Sequence, residues 1–290
     1  MVRPSRSHRV FQGVNGVILT LVVLLTLYPF VNIIARSFSG ERQIRAGEVT
    51  LWPKGFNLTT YNIVFHDGMF WRNYGNTVFY TVVSTVLAMV LTTCYAYVLS
   101  KKNLKGRGVL VGIAVFTMFF TGGLIPNYIL ITTLGLKNGV WALALPNAIS
   151  VFNLLVMKAF FESLPAELEE AAQIDGLNTY GILLRIVLPL SKAVVATMVL
   201  FYSVSFWNSW FGAFLYLDRT DLMPVTVYLR NLIAGATGGG NAGAANDQLS
   251  QVGANIQAVT IVLTALPIIC VYPFVQRYFV SGVTLGAVKG

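Results

Sequence analysis

Acidic residues gather in one stretch of a charge-poor chain. Glu162, Glu167, Glu169, Glu170 and Asp175 supply five of its eleven Asp and Glu residues, and they lie between two apolar runs. Clustered carboxylates suit acid–base work or a metal, yet His8, His66, Cys94 and Cys270 all stand far from them in sequence. No Ser-His-Asp or Cys-His arrangement supports nucleophilic catalysis. A G-x-x-x-x-G-K-[ST] phosphate loop is also missing, and the ending GVTLGAVKG has no Ser or Thr after its lysine. The sequence therefore identifies no catalytic residue and no metal ligand set.

The cluster instead reads as a helix-turn-helix. Ser163 is expected to cap the first helix and Pro165 to occupy its first turn. Glu167, Glu169 and Glu170 then sit near the positive N-terminal end. Leu164, Leu168, Ala171 and Ala172 fall on one face at helical spacing. Gly176 can take the left-handed conformation that ends a helix. Asn178 is placed to cap a second, more apolar helix that Pro189 ends or kinks. Two short helices at a sharp turn make a knob whose alanines allow close approach of a partner. The plainer alternative is a surface hairpin that binds nothing.

Composition says where such a knob would be mounted. Of 290 residues 56% are hydrophobic and 11% charged, against about 25% charged in soluble domains. Six apolar segments approach the ~20 residues that cross a bilayer: 13–35, 73–99, 109–131, 140–157, 193–217 and 256–275. An all-α membrane protein of six transmembrane helices is expected, with a membrane domain over 13–275. The first segment is too long for the apolar part of a signal peptide and reads as a retained helix. Arg3, Arg6 and Arg9 precede it, and Lys101, Lys102, Lys105 and Arg107 follow the second. The positive-inside rule then puts both termini, 1–12 and 276–290, in the cytoplasm. Loops 36–72 and 218–255 are external, and 158–192, with the acidic knob, is cytoplasmic. The net charge of +9 is spent on these flanks, so nucleic acid is not an expected partner. Cys94 and Cys270 lie inside apolar segments and read as small buried hydrophobes.

None of the six segments contains Asp, Glu, Lys, Arg or His. Proton-coupled pumps and many ion-coupled carriers need such a group within the membrane, which weighs against a secondary carrier or channel acting alone. Pro29, Gly122-Gly123 with Pro126, Pro146, Pro267 and Pro273 interrupt the segments. Most of these read as ordinary kinks, while GLIP at Pro126 is the best candidate for a break lining a cavity. Polar or aromatic candidates for a substrate path are Asn147, Asn153, Trp207, Asn208 and Trp210. Amides can bond sugar hydroxyls and indoles can stack on sugar rings. Equally, the asparagines can bond across helices and the tryptophans can form an interfacial belt.

The segment EAAQIDGLNTYGILLRIVLP matches Glu-Ala-Ala, three residues, Gly, nine residues, Ile, one residue, Leu-Pro. Chance agreement at all seven positions is of order 10⁻⁸ per start site at average residue usage. It resembles the coupling loop of ABC-importer permeases. QRYFVSGVTLGAVKG, FTMFFTGGLIPNYIL, LWPKGFNLTTYNIVF and FYSVSFWNSWF are similar to carbohydrate-uptake permeases of the maltose-permease type, in a subfamily associated with oligo-uronides and alginate. The resemblance covers nearly the whole chain. It implies an inner-membrane subunit of the type I importer fold, working with a second permease, in a heterodimer, two ATPase subunits and an extracytoplasmic sugar-binding protein. Glu170, Ala171, Ala172, Gly176, Ile186, Leu188 and Pro189 then couple the chain to the ATPase. ATP and Mg would sit on the partner subunits, with no cofactor on this chain. The substrate would be an oligosaccharide. External Arg36, Arg42 and Arg45 favour an acidic one or an acidic binding protein, or simply meet lipid headgroups.

Overall fold

A computed structural model describes the backbone of residues 6–236 and 253–287, with side chains over 11–234 and, apart from 272, over 255–273. The glycine-rich segment 237–247 and the side chains of Arg3, Arg6, His8 and Arg9 lie outside the described residues. The described structure is all-helical. It divides into two compact units, Met1–Gly68 with Leu229–Leu266, and Met69–Tyr228 with Pro267–Gly290.

In the first unit, α1 (Arg6–Ser37) runs through Pro29 without a break. Its apolar stretch Phe11–Ser37 has 27 residues, about 40 Å at 1.5 Å per residue, enough to cross a ~30 Å hydrocarbon core. Nearly all its large hydrophobics are exposed, as lipid contact requires. Short helices α2 (Glu41–Arg45) and α3 (Thr59–His66) follow within the expected external loop. Asn255 closes this unit by donating through Nδ2 to the carbonyls of Arg36, Ser37 and Ser39 at 3.0, 3.1 and 2.8 Å. Those carbonyls end α1, so one amide satisfies groups that a helix terminus leaves unpaired.

In the second unit, α4 (Gly68–Ser100) is a rod of 33 residues. The next three apolar segments are each broken. α5 (Arg107–Phe119) and α6 (Leu124–Thr133) meet at 111°, with Gly123 at φ +86° providing the turn. α7 (Val140–Ala144) stops before Pro146, and α8 (Val151–Glu162) restarts on a cap from Ser150. α9 (Ala166–Ile174), α10 (Thr179–Ile182), a π turn (Leu183–Val187) and α11 (Leu188–Leu190) form the expected knob. The chain then bends 87° into α12 (Lys192–Trp207), followed by α13 (Trp210–Tyr216). α14 (Val225–Ala236) and α15 (Gly253–Ala287), each divided between the two units, complete the order of α-helices. α15 passes through Pro267 and Pro273 unbroken and continues along the expected C-terminal tail to Ala287.

By length and apolarity, two described helices can cross a membrane, or up to four if each bent pair is one span. Cys94 and Cys270 are free thiols but exposed on the chain, which corrects the expectation that they are buried. An apolar residue in lipid need not pack inside the protein, so apolar surroundings in sequence do not imply burial.

Candidate functional site

The knob is built by local capping. The Gly176 N–H donates to the Gln173 carbonyl and the Leu177 N–H to the Ala172 carbonyl, both at 3.0 Å. With Gly176 at φ +82°, this crossed pair is a Schellman motif. Asn178 Oδ1 accepts from the Gly181 N–H at 2.8 Å, capping α10 as expected. Pro189 cannot donate to the carbonyl four residues back, and the chain accommodates it with the π turn just before it. Ser163 does not cap α9: its hydroxyl donates to the Phe160 carbonyl at 2.7 Å, at the end of α8. Pro165 therefore stands at the cap position, one residue before the first turn.

The inner face of the knob joins the main core, where Ala172, Ile182, Leu183 and Val187 pack with Tyr97, Leu99, Leu154, Met157 and Phe161. Of the seven coupling-loop positions, Ala172 is buried and Ile186 and Leu188 are half-buried against this core. Glu170, Ala171, Gly176 and Pro189 are exposed. The expected apolar face is corrected in part. Leu164 and Ala172 pack inward, but Leu168 and Ala171 face out. An ion pair takes the place of Leu168 on the inner side: Glu169 meets Lys101, whose ammonium lies 3.9 Å from the centre of the Tyr97 ring. A second knot joins Glu162 to Arg107 and to Lys158, the latter at 3.0 Å. Arg107 Nε also donates to the Leu99 carbonyl at 2.8 Å. Burial, and then repulsion from Arg107, pulls the Lys158 ammonium below its ordinary value.

Outside this anchorage the knob presents Ile174, 87% exposed, with Tyr180 and Leu184 also exposed. Such apolar side chains on a charged segment are what a docking surface offers. Glu170 and Gln173 line an open recess of about 650 Å³ with Lys101, Lys102 and Asn103. Glu162, Glu169, Lys101 and Arg107 stood out in the sequence as charges, but neither their pairing nor the exposed Ile174 did. The i,i+4 spacing of Lys158 and Glu162, and an isoleucine beside Asp175, were the available signals.

The five path candidates separate. Asn147 and Asn153 share a recess of about 400 Å³ with Ser150, Tyr202, Ser205 and Phe206. Tyr202 organises it: its hydroxyl accepts from the Ser150 N–H at 2.9 Å and pairs with Thr92 Oγ1 at 2.6 Å. Asn147 also lines an adjoining recess of about 430 Å³ with Thr121, Leu124 and Asn127, so the break at GLIP does border a cavity. Trp207 lines a different, largely apolar recess with Tyr74 and Pro267. Asn208 turns back on its own helix, donating to the Val204 carbonyl at 2.8 Å. Trp210 packs edge-on against Phe211. No group of His, Cys, Asp and Glu able to hold a metal occurs among the described residues.

At the other end of α4, loop 217–224 is strapped down. Arg72 and Arg219 both pair with Asp221, at 2.9 and 2.7 Å. The Val225 N–H donates to Thr77 Oγ1 at 2.7 Å and the Tyr80 hydroxyl to the Leu222 carbonyl at 2.7 Å. Lys137 pairs with Asp218 at 2.9 Å.

No family model matches the chain. Among known proteins it is similar to Protein LplC of Bacillus subtilis (strain 168), 40% identical over 286 residues, covering 99% of this chain and 97% of that one. It is 37% identical over 291 residues to the polygalacturonan/rhamnogalacturonan transport system permease protein YtcP of the same organism, covering 98% and 100%. A chain of a bacterial ABC transporter involved in the import of the acidic polysaccharide alginate superposes with a TM-score of 0.85 at 34% identity, covering 96% of this chain and 100% of that chain. The chain belongs to the carbohydrate ABC-importer permease family. The permease is thus an inner-membrane transport subunit with no catalytic activity of its own. The alternative of a secondary carrier or channel working alone is set aside. Charge-free apolar segments are intelligible in a permease whose driving energy enters elsewhere.

Proposed function

We propose that the permease is the membrane half of an oligosaccharide importer and is driven through its α9–α10 knob by a separate ATPase. One observation carries this reading: the knob leaves Ile174, Tyr180 and Glu170 facing outward while its inner face is fixed to the core. Fully burying one such aliphatic side chain contributes about 1.5–3 kcal/mol, so a small knob can dock firmly. Glu170, Ala171, Ala172, Gly176, Ile186, Leu188 and Pro189 act together here. The exposed members meet the ATPase, and the half-buried and buried ones hold the turn in shape.

In this reading the chain crosses the membrane six times within 13–275, with both termini and loop 158–192 in the cytoplasm. A different permease completes the path, two ATPase subunits carry ATP and Mg, and an extracytoplasmic binding protein delivers the sugar. Closure of the ATPase pair would push the knob and rock the helices between inward- and outward-facing states, which requires contacts that differ between the two.

Asn147 and Asn153 are proposed sugar contacts, because their recess combines amides, hydroxyls and an aromatic pair, Tyr202 stacked with Phe206 at 6.2 Å. Trp207, Asn208 and Trp210 lie outside this recess, Trp207 in a largely apolar one, and are kept as second-rank candidates for the path. An acidic oligosaccharide is the favoured substrate, supported by relatives that handle polygalacturonan and alginate. Co-purification with co-expressed ATPase subunits tests the coupling, and its absence in a folded preparation contradicts it. Uptake of oligogalacturonate against a neutral oligosaccharide of equal length tests the substrate, and equal uptake removes the preference for acid.

A further inference from the structure

We propose that Lys101 and Glu169 form a strut that carries motion of the knob into α4, making both positioning residues for coupled transport. The proposal rests on the coupling role of the knob stated above.

Within α9, Ala172 is buried and Glu169 half-buried, while the other residues are exposed. Lys101 is the residue directly after α4, and its ammonium sits over Tyr97, in the last turn of that helix. Tyr97 is 4% exposed and packs edge-on against Phe161 of α8. A displacement of α9 therefore reaches the end of α4 directly through this pair, beside the apolar contact of Ala172 with the core. α4 is also the element suited to carry it. It is one unbroken rod, whereas α5–α6 and α11–α12 bend by 111° and 87° and would absorb a push in their hinges. At its far end α4 holds loop 217–224 through Arg72, Asn76 and Tyr80, and the start of α14 through Thr77. Partly exposed ion pairs add little stability, so this pair's value is in fixing register rather than in holding the fold.

The test uses the full complex in liposomes, with a single reporter at Gly75→Cys in a Cys94→Ser/Cys270→Ser background. Gly75 is exposed, and beyond its own helix backbone and chain neighbours no atom of the described residues lies within 4 Å of where its side chain would begin. Maleimide labelling is compared with and without ATP, alongside ATP hydrolysis and retention of the ATPase subunits. The expected result is an ATP-dependent change in labelling that is lost in Lys101→Glu and in Glu169→Lys, with hydrolysis retained, and regained in the double charge swap. Lys101→Met and Glu169→Gln, which keep length without charge, should lose the change while leaving assembly intact. An ATP-dependent change that survives in either neutral variant overturns the strut, as does a double swap no better than its singles, or the absence of any change in the unsubstituted pair. ATPase subunits that never accompany the unsubstituted chain would instead refute the coupling role of the knob.

Discussion

The Leu177 N–H donates to the Ala172 carbonyl at 3.0 Å, across a Gly176 held at φ +82°. This bond sets the angle between the two helices of the knob. Apart from its chain neighbours, no atom of the described residues lies within 4 Å of where a Gly176 side chain would start, so a substitution there meets backbone strain first. Gly176→Ala should cost about 1–2 kcal/mol for the left-handed conformation, and Gly176→Asn less, since asparagine tolerates it. Gly176→Trp adds bulk on top of the same strain. Uptake that falls far more in the Trp variant than in Ala, at similar thermal stability, reports a surface belonging to another chain.

Ile174 is 87% exposed, so Ile174→Ser should leave the melting temperature of the isolated permease unchanged. If the side chain is buried on docking, its loss weakens ATPase binding by about 1.5–3 kcal/mol, roughly 10- to 150-fold. Titration of detergent-solubilised permease with ATPase subunits reads this directly.

Tyr202 joins three elements, pairing with Thr92 of α4 and accepting from the Ser150 N–H just before α8. Tyr202→Phe leaves a part-buried amide and a buried hydroxyl without their partner, a loss of about 1–3 kcal/mol. Thermal unfolding of the purified chain should show it.

Asn153→Leu removes an amide from the polar recess. Loss of a hydrogen bond worth about 0.5–1.5 kcal/mol predicts a roughly 2- to 10-fold weaker apparent affinity for the imported sugar. ATPase retention should be unaffected, which separates this residue from the knob.

Asp221 is held below the ordinary aspartate value of 3.8, first by its hydrogen bond from Arg219 and then by the nearby positive charges. A carboxyl depressed on folding contributes stability above its unfolded pKa and loses it as pH falls through the folded value. The strap over 217–224 should therefore be unchanged between neutral pH and about pH 4 and open only in stronger acid. Hydrogen exchange of this loop, corrected for intrinsic rates, measures that, and Asp221→Asn should mimic the acid state at neutral pH.

Much of the knob was legible because its signals are local: glycine after a helix, asparagine before one, proline where a helix must yield. Ser163 misled because its hydroxyl had two helix ends within reach and serves the earlier. The ionic anchors were hidden for a different reason. Lys101 and Glu169 are 68 positions apart, and nothing short-range says that they meet. The breaks at Gly123 and Pro146 were visible as breakers, yet Pro29, Pro267 and Pro273 look alike in sequence and leave their helices intact. A break needs more than a proline; at Gly123 it has a positive φ as well. Aromatic and amide candidates near Trp207 could not be sorted by type, since only packing tells an indole facing a recess from one filling a helix contact.

The most direct measurement is a short-range cross-link from Ile174→Cys, in a Cys94→Ser/Cys270→Ser background, to the ATPase subunits in membranes. The account predicts a covalent product between the permease and an ATPase subunit whose yield changes on ATP binding. An assembled, transporting complex that gives no such product, with or without ATP, would contradict it.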